Sequence, residues 1–498
     1  MTTITRPVRR RHADLFTVAV EVALLGAAVA AGALLNRRGV RLYADAAPLY
    51  AIWRPHAGWG TPAAVLVAVV LVWWGPRWAR YAPWPRLLAA GYLAALAWTL
   101  SLALVDGWSA GLTSKLTPQA EYLHEVAGVT DVRAMLAGFA GRILDFQPGS
   151  WSTHTAGHPP GALLIFVWLD RIGLGGGTAA GVACVALGAT VSVSVPAALR
   201  GLGAEEAARA AWPFLVLFPG AVWIGASADG IFAAVVAAGL ALLTSRGRWA
   251  AVPGGLLLGF ALYLSYGFLL VGVLALTVVA LRPRDRLGVL AVAAGAVALV
   301  VGAFSFAGFW WLDGYHLVVR RYYQGWGAER PYGYWVWANL AALLLSAGPV
   351  LGPALRRAVV AVLPARTDRP SAGRPWRWRT PAAWRDPAAR KAWRDRGLRA
   401  AWRDRGLRAA WRDPAARAAL WRRVTSRPAA WLPIAAAVVV VAADLSALSK
   451  AEVERIWLPF EVWLLVATAH LPRGHRRGWL AAQAATALAV NHLLWTVS

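Results

Sequence analysis

From Leu15 to Leu35 the chain runs through LFTVAVEVALLGAAVAAGALL, in which Glu21 is the one charged side chain. At ~1.5 Å per residue such a run spans the ~30 Å hydrocarbon layer of a membrane as a helix. A helix on the surface of a soluble domain would carry a polar face, and this run has none. The pattern returns at Thr61–Trp74, Leu87–Val105, Gly181–Leu199, Leu287–Trp311 and Tyr334–Leu351. A segment surrounded by lipid must satisfy its backbone groups internally, and a helix does so. The expected fold class is therefore all-α: a polytopic integral membrane protein of about thirteen transmembrane helices.

Composition agrees, with 59% hydrophobic and only 15% charged residues. The net charge of +27 raises nucleic acid as a partner. The arginines, however, cluster at the ends of apolar runs and in one long loop, as the positive-inside rule requires. No zinc-finger spacing or RNP-like aromatic pattern accompanies them, which argues against nucleic acid. The basic start MTTITRPVRRRHAD precedes a run longer than the ~7–15 residues of a signal peptide core. It reads as an uncleaved first span with the N-terminus in the cytoplasm, in a multi-pass plasma-membrane protein. Cys184 is the only cysteine, so no disulfide forms within one chain.

In chain order, a bundle is expected over 1–354, a basic cytoplasmic loop over 355–430 and further transmembrane helices over 431–498. The loop holds a nine-residue repeat with Trp384, Trp393, Trp402 and Trp411 in phase. Nine residues turn a helix by about 180°, so these tryptophans would alternate faces. Within the bundle, 106–158 is a long outer loop. It ends in WSTHTAGHPPGALLIFVWL, residues 151–169, where His154 and His158 precede two prolines suited to the first turn of a helix. Counting crossings from His158 outside to Arg200 inside leaves one helix too many. The short HPPG helix, Pro159–Leu174, carries Asp170 and Arg171 and is expected to be discontinuous at the outer face. Further crossings are expected at Pro213–Ile224, Gly230–Leu243, Val252–Leu264, Phe268–Leu281, Trp431–Ala443, Leu458–Leu471 and Trp479–Val497.

This bookkeeping collects polar residues at the outer face. They are Asp45, Asp106, Glu121, Glu125, Asp131, His154, His158, Asp229, Tyr266, Asp313, His316, Arg320, Arg321, Arg330, Tyr332, Asp444, Lys450, Glu452, Glu454 and Arg455. Singly, each is explained by solvation or a loop ion pair. Together they suggest a wet cavity, because charge near lipid is costly unless paired or hydrated. A carboxylate there is a candidate general base. Arginines grip phosphate through fork-like hydrogen bonds. A base beside a phosphate clamp at a lipid boundary suits transfer of a sugar from a lipid phosphate to an acceptor hydroxyl, with arginine stabilising the leaving phosphate.

The acid-bearing outer loop running into HPPG, the helix start GASADGIFAAVVAAGLALL and the paired short helices LLLGFALYLSYGFLLVGVLAL together resemble the GT-C superfamily. This is the group of polyprenyl-phosphate-sugar glycosyltransferases that includes protein mannosyltransferases and aminoarabinose transferases. RRYYQGWGAERPYGYWVW and SKAEVERIWLPF resemble an actinobacterial branch, and the likeness covers about residues 87–350. The resemblance implies a first-loop acid as catalytic base. Glu121, in QAEYLHEV, is the nearest match, with Asp106, Asp131 and Asp45 as rivals. His154, His158, Asp229, Tyr266, His316, Arg320, Arg321, Arg330, Tyr332, Lys450, Glu454 and Arg455 would line the substrate pocket. The partners implied are a polyprenyl-phosphate sugar, the bilayer and a sugar, lipid or protein acceptor. No metal-ligand spacing stands out; a divalent cation is compatible with the family. A transporter or flippase of a lipid-linked substrate, and a non-catalytic protein of the same fold, are the alternatives; an acyltransferase lacks a nucleophile motif.

Overall fold

The computed structural model describes residues 5–225, 227–363 and 425–496, with side chains from His12 onward. The nine-residue tryptophan repeat lies outside the described residues. Residues 1–361 and 428–498 belong to one compact unit, so the C-terminal helices pack with the N-terminal bundle.

The chain is mostly helical. Among the described residues, six helices are long and apolar enough to cross a membrane: His12–Arg37, Thr61–Tyr81, Trp84–Ala103, Gly176–Gly201, Arg286–Phe306 and Pro428–Leu445. Their outward faces stay apolar: Phe16, Val22, Leu66, Trp73, Leu93 and Leu299 are all exposed. Side chains of that kind are at home against lipid rather than water. Tyr332–Ala347 and Leu351–Val362 make a seventh span if read as one broken helix, bent by 96°. Gly348, at φ +94°, sits in the bend, where a side chain would be strained.

Several expected crossings are shorter or broken. Pro213–Ile224 divides into Glu205–Val216 and Ala221–Ile224 around Phe218-Pro219-Gly220, where proline removes a backbone donor. The helix expected to reach Trp311 stops at Phe306, just before Gly308 at φ +98°. Leu458–Leu464 continues only as a tighter turn to His470. The last helix ends at Leu493 rather than Val497. Leu494–Thr496 instead forms β2, paired antiparallel with β1, Ala51–Trp53, in the register Ile52 to Trp495. Backbone bonds from Arg54 to Leu493 and from His56 to His492 extend that clasp. The first loop is thus fastened to the C-terminus.

The HPPG segment folds as expected in kind. Pro159 caps a helix whose first residue is Pro160, and it runs twelve residues to Arg171. At ~1.5 Å per residue that is ~18 Å, well short of a bilayer. A Cβ on Gly161 would lie 2.5 Å from the Tyr263 carbonyl, so the glycine lets this helix press against its neighbour.

Charged clusters differ in chemistry. Asp14 pairs with Arg356 and Arg357, and Arg209 bonds Glu205 and the carbonyls of Ala79 and Ala82. A separate cluster gathers acids and a histidine around Arg455.

Candidate functional site

The long loop before the HPPG helix is built to present Glu121 and His154 together. A turn bonds the Glu121 amide to the Pro118 carbonyl, and the His154 amide donates to the Ala120 carbonyl. Glu125 Oε1 accepts from the Ser152 amide at 2.7 Å, which fixes the start of the short helix Thr153–Gly157. Buried Tyr122 stacks between His154 and Phe166, with ring centroids 6.2 and 5.3 Å away. The result places Glu121 Oε1 2.6 Å from His154 Nδ1.

The opposite ring nitrogen settles the tautomer. His154 Nε2 lies 3.1 Å from an Arg455 terminal nitrogen. Guanidinium only donates, so Nε2 accepts and leaves the ring proton to Nδ1. The Nδ1 contact with Glu121 is close but falls outside hydrogen-bond geometry, and His154 is held from its far side by an arginine that is itself paired with carboxylates. Arg455 also donates to Asp229 at 3.1 Å and to Glu452 at 2.7 Å. Asp229 opens the buried helix Asp229–Leu243, where the helix dipole favours a carboxylate. Burial opposes the charge on Arg455, but Glu452, Asp229 and Glu121 outweigh it and hold the guanidinium firmly protonated.

Glu452 links this group to a second arginine, with Arg330 3.2 Å away. Burial alone would raise the Glu452 carboxyl; the Arg455 and Arg330 charges overcome it and bring it down to about 2. Arg330 donates further to the Lys450 carbonyl at 2.8 Å, and the Lys450 ammonium donates to the Gly327 carbonyl. Glu454 accepts from the Tyr50 amide through Oε1 while its buried Oε2 has no partner, and burial pushes its carboxyl up to about 7. The loop carrying these groups is strained: Ala451 at φ +73° and Glu452 at φ +62° are consecutive left-handed residues. Each costs on the order of 1–3 kcal/mol, a load that clusters at functional sites. Asn339 holds the turn, accepting from the Ala451 amide and donating to Asp444 and the Ser449 carbonyl.

His158 stands behind the site. Its Nδ1 donates to the His154 carbonyl at 2.8 Å, and burial lowers its imidazole to about 4, so it remains neutral. Its ring packs against Tyr122 and Phe232. Tyr266 meets Trp311 edge-on and Tyr315 at a tilt.

The expected site residues thus divide. His154, Asp229 and Arg455 form one hydrogen-bonded group, Glu121 touches His154 at 2.6 Å, and Arg330, Lys450 and Glu454 adjoin them. Asp106 lies elsewhere, 2.6 Å from His56. The Asp131 carboxylate caps the helix Val132–Gly138 by accepting from the amides of Arg133 and Ala134. Asp45 is exposed. Arg321 pairs with Asp145 at 2.9 Å, and His316, Arg320 and Tyr332 are exposed. The arginines expected as a free phosphate clamp are partly spent: Arg455 and Arg330 are already paired with carboxylates. Glu452 was gathered with the outer-face acids but not singled out, although it stands three residues before Arg455, the spacing of a helical ion pair. Tyr122, Tyr50 and Asn339 carry no local signature that marks them.

Among the described residues, no group of three or more His, Cys, Asp or Glu side chains is arranged to hold a metal ion. No family model, curated protein or solved structure matches the chain.

Proposed function

We propose that the protein is a membrane glycosyltransferase that moves a sugar from a polyprenyl-phosphate donor to an acceptor hydroxyl at the outer face of the cell membrane, in the manner of the GT-C superfamily. The observation that carries this reading is the Glu121–His154–Arg455 relay. It sets the Glu121 carboxylate 2.6 Å from an imidazole that Arg455 orients, within an otherwise apolar bundle. Glu121 takes the proton of the acceptor hydroxyl as that oxygen bonds to the anomeric carbon. The bond from that carbon to the phosphate oxygen breaks, and its electron pair leaves with the polyprenyl phosphate. Arg455 is a positioning residue, since its fork is committed to His154, Asp229 and Glu452. Arg320 is exposed and has no ion pair among the described residues, on the helix Trp311–Gln324 that packs against Thr153–Gly157, and it is a guanidinium placed to meet the phosphate. In this reading the N-terminus is cytoplasmic. The shorter apolar helices cross a thinned layer beside the long ones, for about thirteen crossings in all.

The test supplies membranes containing the protein with a radiolabelled polyprenyl-phosphate sugar. Label should leave the lipid fraction, and Glu121→Gln should stop it. A second reading, a transporter or flippase of a lipid-linked substrate, draws on Glu461, fully buried in the bundle with Ser346 donating to it at 2.7 Å. That protein would move label across vesicles with the phosphate–sugar bond intact. A non-catalytic protein of the same fold would do neither.

A further inference from the structure

Beside the relay lies a surface that the transfer chemistry leaves unused. Tyr43 and Trp326 stack with ring centroids 4.7 Å apart and planes only 5° from parallel. Trp326 remains about half exposed, at 49%. Around the pair stand Arg41 and Glu329, 2.8 Å apart and both open to solvent, and the Tyr43 hydroxyl donates to the same carboxylate. The left-handed backbone of Tyr43, at φ +50°, is held by Arg330, which bonds the carbonyls of Leu42 and Tyr43. Arg330 also lies 5.5 Å from the Trp326 ring centroid and 3.2 Å from Glu452, which accepts from the Arg455 fork as well. A half-exposed, stacked aromatic pair with a planar donor and a planar acceptor at its edge is thus joined to the candidate active site by two arginines.

We propose that Trp326, Tyr43, Arg41 and Glu329 form a carbohydrate-binding platform that seats a pyranose ring of the acceptor. This rests on the glycosyltransferase reading for the word acceptor, and on geometry alone for the sugar. The C–H-rich face of a pyranose lies flat on an indole, and its equatorial hydroxyls reach sideways to groups that both donate and accept. Arg41 and Glu329 offer that combination at the rim. An interfacial lipid anchor is the competing use of an exposed tryptophan. It requires no carboxylate, and Glu329 would be repelled by an anionic headgroup.

The experiment measures saturation-transfer NMR between the detergent-solubilised full chain and three probes: mannobiose, galactobiose and maltose. At least one should receive magnetisation. Trp326→Ala should weaken its binding by ~10-fold or more, the loss of one stacking contact and its neighbours. Glu329→Gln should weaken it by a smaller factor with the stack intact, and Trp249→Ala, at an exposed tryptophan remote from the platform, should change nothing. Transfer to none of the probes, or equal transfer with Trp326→Ala, overturns the platform. A spin label on Trp326→Cys gives an independent reading, because the only other cysteine, Cys184, is fully buried. In bilayers it should be relaxed by an aqueous nickel chelate. Preferential relaxation by oxygen would place it in lipid and sink the proposal. Because these readouts need no donor, sugar binding without turnover would count against the transferase reading alone, and turnover without sugar binding against the platform alone.

Discussion

Two carboxylate–imidazole contacts in this protein have the same length, 2.6 Å, and different surroundings. In the first, Glu121 lies beside His154 Nδ1, and Arg455 donates to the other nitrogen. In the second, Asp106 faces His56 Nε2 while His56 Nδ1 faces the Arg54 carbonyl at 2.7 Å. Both neighbours of His56 are acceptors, so its ring is fixed between two oxygens. That pair sits beside the β1–β2 clasp, with Trp495 close to the His56 ring. Equal distance therefore says little about role. What lies on the far side of each imidazole decides it, and this favours Glu121 over Asp106 as the base.

The sharpest way to break the comparison is to neutralise each acid in turn. Glu121→Gln should lower sugar transfer by ~10²–10⁴-fold, the usual worth of a general base. Asp106→Asn should leave turnover near that of the parent protein; the reverse result would exchange the two roles. Next in size is Arg455→Ala, which strands Asp229 and Glu452 in a buried setting. Thermal unfolding in detergent should show a loss of ~3–5 kcal/mol. Arg455→Lys should rescue part of the stability but not the orientation of His154, so turnover should stay low.

A smaller effect follows from Glu454, whose carboxyl is raised by burial from 4.5 to about 7. The folded state keeps this proton after the unfolded chain has lost it. Its stabilising contribution is complete below about pH 4.5 and disappears as pH rises through 7. Glu454→Gln should flatten that decline, which is worth up to about 3 kcal/mol in unfolding measurements across this window. Smallest is Asp131→Ala. Asp131 was a rival base and is seen capping a helix, so its removal should cost ~1 kcal/mol of stability and spare transfer.

Much of the bundle was legible in the residues. Leu15–Leu35 is apolar on every face, and it forms a helix. Pro159-Pro160 marks a helix start, and the short helix after it begins at Pro160. Helix ends differ from the apolar runs where proline and glycine act at a distance of only one or two residues, as at Pro219-Gly220 and Gly308. Hydropathy sums over a window and smooths such breaks. The β1–β2 clasp had no signature at all, because three residues of strand acquire meaning only from a partner more than four hundred positions away.

Local sequence determined the apolar helices and the break at HPPG, since helix formation and partition into lipid depend on neighbours within a few turns. Tertiary structure alone decided which acid stands beside which histidine. His154 and Arg455 are 301 residues apart in the chain yet share a hydrogen bond. Charge pairing at such separation is set by how helices pack, and no period or spacing along the chain encodes it.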